Sequence, residues 1–470
     1  MNGPQIPRLV IAAPHGRSGK TTVTLGLVAA LTDLGYTVQP FKKGPDFIDP
    51  SWLGKAARRP CRNLDRFFST SEEVVGAFIK GAADADVAII EGNHGLYDGL
   101  DLEGSGSTAE VARSLSAPVV LVVDATRMTR SVAAMVRGFV DFDAKIRVAG
   151  VILNQVSGPR HREILTGSIE KYCGIPVLGV MPKSHVLRIP DRHLGLVPAD
   201  EEPSTERVLE WASRKAAEHL DLKALLALSG TAGPLPAGSP VYRPRRVTAS
   251  EVRIGYFLDE AFSFYYPENL EALRAAGAQL VPVNALTDPD LPEVDGLYLG
   301  GGFPEVFAGP LEANAGVRAA IRRAVDDDMP VYAECGGLMY LCRSISSKGK
   351  QYAMAGALPA DVVMEERPQG HGYTIMEVSA VNPFFPVGTL IKGHEFHHSR
   401  LVNLDRDVVR FAYTVRKGTG IDRAQDGLLY RNVLAGYNHL YAPAVPTWAE
   451  ALVARAAQRR QVTQVGVMEC

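Results

Sequence analysis

The chain has 470 residues, 46% apolar and 22% charged, which is the balance of a soluble globular protein and excludes disorder as the main state. At about 150 residues per domain the length predicts two or three domains. Lys plus Arg number 50 against 52 Asp plus Glu, a formal net charge of −2, so nucleic acid is not an expected partner.

The opening apolar run RLVIAA (8–13) reads as a strand rather than a secretion signal. No stretch approaches the roughly 18 apolar residues of a membrane span, so no membrane partner is expected and the cytoplasm is the expected compartment. After the loop PHGRSGK, the segment TTVTLGLVAALTDLG repeats Val23, Leu27, Ala30 and Leu31 at helical spacing and stops at Gly35. YTVQPFK, DVAIIEG (86–92), APVVLVVDA (117–125) and KIRVAGVILN (145–154) follow as buried strands, each separated from the next by room for a helix. This alternation predicts a parallel sheet covered on both faces.

The stretch 227–250, rich in Gly, Pro, Ala and Ser, reads as a linker. The rhythm then restarts with a strand at 252–259, a helix at 267–277 closed by Gly277, a strand at 278–284, and the segments 296–302 and 329–335, each running as a strand into a turn. The predicted organisation is an α/β domain over 1–226, a second over 251–445 and a tail over 446–470.

Gly16, Ser18, Gly19, Lys20, Thr21 and Thr22 lie between the first strand and the first helix. Backbone N–H groups of such a loop point at phosphate oxygens. Lys20 would reach the outer phosphates, and Thr21 would place its hydroxyl on Mg²⁺. Pro14 stands where the strict pattern wants glycine, so this is a variant loop. Past the second strand GPDFIDP carries Asp46 and Asp49, and past the third EGNHGLYDG carries Glu91 and Asp98. In an open parallel sheet these loops converge with the phosphate loop, where carboxylates hold Mg²⁺ or orient a nucleophile; capping of a turn is the plainer role for each Asp. AARRPCRNLDR adds Arg58, Arg59, Arg62 and Arg66, suited to carboxylates or simply to a solvated helix face.

The five cysteines (Cys61, Cys173, Cys335, Cys342, Cys470) form no CxxC pair, so neither a disulfide framework nor structural zinc is expected. Cys335 in VYAECGGLMYL lies between a strand and a helix, with Gly336 and Gly337 allowing a sharp turn and the helix N-terminus expected to lower the thiol pKa. LGGGFPE offers Gly301 and Gly302, with Gly336, as oxyanion donors, and His439 in AGYNHLYAP follows another apolar strand. Thiol, base and oxyanion donors on one scaffold point to acyl transfer through a thioester.

Taken together, GRSGKTTVTLGL, PFKKGPDFIDP, EGNHGLYDG, LNQVSGPRH, GGGFPE, ECGGLMYL, GHEFHHS and GYNHLY resemble the cobyrinate a,c-diamide synthase family over nearly the whole chain. The resemblance implies an N-terminal P-loop domain, similar to dethiobiotin synthetase and MinD-type ATPases, before a class I glutamine amidotransferase domain. It implies that Cys335 attacks glutamine with His439 assisting, and that Lys20 and Thr21 handle ATP and Mg²⁺. Asn154 resembles an adenine contact, while Asp46, Asp49, Glu91 and Asp98 match positions near the metal and the reacting carboxylate. Amidotransferases of this branch lack the triad glutamate of their relatives, so no third member is named.

A polycarboxylate tetrapyrrole would be phosphorylated on an acetate and then amidated. The family usually reads EGVMGLYDG and RPSRNLD. EGNHGLYDG and RPCRNLD here are more like the branch acting on sirohaem or sirohydrochlorin, with Asn93, His94 and Arg62 toward the macrocycle. Dimers are common among relatives of the N-terminal domain, so a homodimer is the implied assembly. The competing readings are an ATP-switched MinD-like regulator, to which a thiol nucleophile would be of no use, and a dethiobiotin-type ligase.

Overall fold

The computed structural model describes residues 4–183, 191–192, 195–236, 238–239, 244–248 and 251–468. The chain divides into two compact units, Met1–Val241 and Tyr242–Cys470.

In the first unit seven parallel strands form one sheet. They are β1 (Arg8–Ala12), β2 (Val38–Lys43), β3 (Arg62–Leu64), β4 (Val87–Glu91), β5 (Val119–Asp124), β6 (Val148–Val156) and β7 (Val177–Pro182), in the order β3-β2-β4-β1-β5-β6-β7. Alternate residues of each strand enter different cores. Leu9 and Ile11 pack with α1 (Lys20–Asp33) and α2 (Ile48–Ala57), while Val10 and Ala12 pack with α3 (Ser71–Gly81) and α4 (Thr108–Ser114) on the other face. Burial on both faces is why these strands read as unbroken apolar runs. Thr70 and Glu73 close a reciprocal capping box on α3, the Thr70 hydroxyl accepting from Glu73 N and the Glu73 carboxylate accepting from Thr70 N.

The second unit is built on a ten-stranded mixed sheet. Its parallel half contains the strands Val252–Phe257, Ala278–Val283, Gly296–Leu299, Val331–Glu334 and Val433–Gly436. Its antiparallel half contains Gly370–Val378, Leu390–His397, Arg410–Lys417, Gln425–Tyr430 and the short His439–Leu440. The predicted helix appears at Pro267–Ala276 and ends at Gly277 with φ +113°.

Two expectations are corrected. The first part of the presumed linker is bound to the first unit. Leu235 is buried in its core, Ser239 N donates to the Glu72 carbonyl at 2.9 Å, and the Gly233 carbonyl accepts from the buried Arg8 guanidinium. Low apolar content hid this because backbone groups make most of the attachment. The presumed tail is a helix, Thr447–Met468, whose Trp448, Leu452, Val453 and Ala456 are fully buried. Its apolar residues complete one face of the ten-stranded sheet. Of the linker, Ala237, Pro240–Arg243, Ala249 and Ser250 lie outside the described residues, as do Glu469 and Cys470 of the tail. Among the described residues no helix is long and apolar enough to cross a membrane.

Candidate active site

β1 ends at Ala12 and α1 begins at Lys20, leaving residues 13–19 as the loop between them. Gly19 takes φ +83°, a left-handed conformation that suits glycine, and a Cβ there would overlap the Asn154 amide. That amide donates from Nδ2 to the Ser18 carbonyl at 3.0 Å. Asn154, expected beside adenine, is thus seen holding the loop in shape. Ser18 Oγ donates to the His15 carbonyl at 2.9 Å, and Gly16 has open space beside its Cα. No side chain caps α1, so the N–H groups of its first turn, which carries Lys20, Thr21 and Thr22, are left for an anion. The buried Lys20 ammonium lies 3.4 Å from the His94 carbonyl. Burial, then the nearby Lys42, lowers its pKa from the ordinary lysine value.

Register brings the acidic loops to the same edge. Glu91 at the end of β4 is level with Ile11 on one side and Lys42 on the other. Thr21 Oγ1 donates to Glu91 Oε1 at 2.7 Å and lies 3.4 Å from Asp49 Oδ2. At the centre is the buried Lys42 ammonium, which pairs with Asp49, with Glu91 Oε1 at 3.0 Å and with Asp46 Oδ2 at 3.7 Å. Burial works to raise the Asp49 carboxyl, but Lys42 overcomes it and holds Asp49 below its usual value. Asp46 behaves differently: burial and the like charge of Asp49 push it up to about 7. Its Oδ1 accepts from Ile48 N at 2.9 Å and Asp49 N at 3.2 Å, so much of its role is to shape the start of α2.

The donor set suits Mg²⁺ in one respect. Glu91 Oε2 is buried without a hydrogen-bond partner, next to the Thr21 hydroxyl. Among the described residues no three acidic, histidine or cysteine side chains form a metal cage. A magnesium ion would therefore take Thr21, Glu91 and oxygens of the nucleotide itself.

Asp98 Oδ2 accepts from Gly95 N at 2.9 Å and folds the 93–98 loop, where Asn93 Oδ1 accepts from His94 N at 3.0 Å. Asn93 is half-buried and His94 exposed, beside the Lys20 ammonium. Arg62 does not join them. It opens β3 level with Phe41, and its side chain packs against Gly81 and lines a cleft with Tyr36, Thr37 and Asp84.

In the second unit Cys335 follows the strand Val331–Glu334 in a strained turn, φ +48° and ψ −100°. The Gly336 Cα lies against the backbone of Gly302, where a Cβ would stand 3.0 Å from the Gly302 nitrogen. Gly301 packs against the His439 imidazole so closely that a Cβ would overlap the ring. Thiol turn, glycine loop and imidazole are thus contiguous, as acyl transfer requires. One expectation fails. The helix after Cys335, Gly336–Leu341, is only six residues long, and burial pushes the thiol well above its ordinary range. A thiol so held favours a base beside it over a resting thiolate.

Residues 253–445 match the CobB/CobQ-like glutamine amidotransferase domain, and residues 9–197 match the CobQ/CobB/MinD/ParA nucleotide binding domain. Curated relatives named cobyrinate a,c-diamide synthase align over both units. That of Magnetococcus marinus is 48% identical over 95% of this chain and 96% of its own length. Those of Methanosarcina acetivorans and Archaeoglobus fulgidus are 40% and 41% identical, each over 97% of this chain and over 96% and 98% of their own lengths. The chain belongs to the cobyrinate a,c-diamide synthase family. As a member it is a carbon–nitrogen ligase that takes amide nitrogen from glutamine, with a nucleotide-binding unit in front.

Three side chains of this cobyrinate a,c-diamide synthase family member escape a reading by motif. Lys42 was available in FKKGPD, but an apolar strand gave no reason to place an ammonium among the acids. His394, in GHEFHHS, stacks on His439 with ring centroids 4.8 Å apart. Its pKa is lowered well below the usual histidine value, first by burial and then by His439. The third is Glu334, buried beside His439.

Proposed function

We propose that this protein amidates the a and c acetate carboxylates of cobyrinate, using ATP and glutamine. The family relationship supports the substrate. The observation that carries the chemistry is the meeting of Thr21, Lys42, Asp49 and Glu91 with the phosphate loop at the carboxyl ends of β1, β2 and β4.

On this reading Lys20 and the loop N–H groups receive the β- and γ-phosphates. A substrate carboxylate oxygen attacks the γ-phosphorus, the bond to the β-phosphate oxygen breaks, and ADP leaves. Bound Mg²⁺, held by Thr21 and Glu91, would supply charge neutralisation on the phosphates. Lys42 keeps Asp49 ionised, and Asp49 with Asp98 orients the incoming acid. In the second unit Cys335 Sγ attacks the glutamine amide carbon while His439 takes the thiol proton and returns it to the departing ammonia. Gly301, Gly302 and Gly336 surround the developing oxyanion. Water then frees glutamate, and ammonia displaces phosphate from the acyl phosphate to leave the amide.

A second reading keeps the chemistry and changes the macrocycle to sirohaem or sirohydrochlorin. Its ground is Asn93 and His94 in EGNHGLYDG, where the family usually reads EGVMGLYDG, with the His94 carbonyl 3.4 Å from the Lys20 ammonium. Mass spectrometry of products from cobyrinate, sirohaem and sirohydrochlorin, each given ATP, Mg²⁺ and glutamine, tests both. Two amides on cobyrinate alone support the first reading; amides on a sirohydrochlorin relative alone replace it with the second. A MinD-like switch is not favoured, because a strained cysteine turn has no use in one.

A further inference from the structure

We propose that Glu334, the residue before the nucleophile, is the positioning carboxylate for His439. The inference rests on the assignment of Cys335 and His439 as thiol and base.

Glu334 Oε2 lies 3.7 Å from His439 Nδ1, with both side chains almost wholly buried. A carboxylate there favours the tautomer that carries its proton on Nδ1 and leaves Nε2 free to accept the thiol proton. It also stabilises the imidazolium that forms when the proton moves. Burial strengthens the effect, because no solvent screens the pair.

The carboxylate is itself fixed from several sides. Oε1 accepts from Leu440 N at 3.0 Å, the residue directly after His439. Oε2 accepts from the Tyr298 hydroxyl at 3.0 Å. The Tyr298 oxygen in turn accepts from Asn269 Nδ2 at 3.1 Å, so its proton is free to point at Glu334. Asn269 Nδ2 also reaches the Leu440 carbonyl at 3.0 Å, and its Oδ1 accepts from Ala442 N at 2.8 Å. Asn269, Tyr298, Glu334 and His439 thus form a buried relay that sets both the carboxylate and the strand bearing the imidazole. A buried carboxylate with no partner would be costly to fold around, and this one accepts two hydrogen bonds while standing beside the catalytic base.

The test compares Glu334→Gln with the parent enzyme in glutamine hydrolysis and in amidation driven by ammonium salt. The amide is isosteric and still offers Leu440 N an acceptor oxygen. The proposal expects kcat for glutamine hydrolysis to fall at least about 100-fold, with KM for glutamine within about threefold and ammonia-driven turnover unchanged. It is overturned by an unchanged kcat, by a rise in KM alone, or by an equal fall in both activities. Should Glu334→Gln fail to fold, Tyr298→Phe serves. It loosens Oε2 and should lower the same kcat several-fold with KM held, and an unaffected kcat would overturn the proposal. A parent enzyme that hydrolyses no glutamine would instead sink the proposed function, so the two failures are distinct.

Discussion

Lys42 Nζ stands 3.0 Å from Glu91 Oε1, on adjacent strands whose register sets the two residues level. This buried ammonium gathers three carboxylates, two of which, Asp49 and Glu91, reach the Thr21 hydroxyl, and so shapes the site before any ligand arrives.

Removing that cation should leave buried negative charge without a partner. Lys42→Met is expected to destabilise the first unit by about 3–5 kcal/mol and to abolish ATP-dependent turnover. Adding Glu91→Gln should recover part of the stability and none of the activity. Denaturant unfolding of the single and double variants checks this, and additive effects would mean the pair is not coupled.

Asn154 should act through the loop. Loss of its bond to the Ser18 carbonyl in Asn154→Ala is expected to raise KM for ATP by about three- to tenfold, the worth of one hydrogen bond, with glutamine hydrolysis unaffected. Steady-state kinetics in ATP provide the measurement.

Gly301→Ala should displace the His439 ring that packs on it. Glutamine-driven turnover is expected to drop by more than about tenfold, because a misplaced base costs proton transfer, while ammonia-driven turnover stays near the parent value. Equal loss of both would locate the damage outside the thiol site.

Asp426 lends the second unit a pH dependence. Its carboxylate accepts from Tyr437 N and Asn438 N, just before His439, and burial raises it from 3.8 to about 6. Between those values the folded protein holds a proton that the unfolded chain has lost, so stability falls as pH rises through that window. The change is on the order of 3 kcal/mol. Asp426→Asn cannot lose this proton, so its stability relative to the parent should improve between pH 4 and pH 7. Urea unfolding at the two pH values reads the difference.

The parallel strands were legible because burial on both faces leaves unbroken apolar runs, and RLVIAA, DVAIIEG and APVVLVVDA all became strands. The antiparallel strands of the second unit went unread. Gly370–Val378 and Arg410–Lys417 are partly exposed and carry polar residues, so no run stands out. The short β3 is only three residues long, too brief for any period. The places of Lys20, Thr21, Glu91, Cys335 and His439 in the fold were legible because each ends or follows a strand or opens a helix. For Arg62 nearness in sequence is a poor guide, since its backbone is level with Phe41 while its side chain lines a cleft with Asp84. Lys42 and Glu334 were hidden because each belongs to a buried strand, and only the folded chain shows what their side chains meet.

The central claim is that one unit makes ammonia from glutamine and the other uses it on an activated acid. The most direct measurement is product formation by Cys335→Ala with ATP and Mg²⁺, supplied with either glutamine or ammonium salt. The account predicts no amide from glutamine and turnover close to the parent rate from ammonium. Loss of both activities together, or retention of the glutamine-driven one, would contradict it.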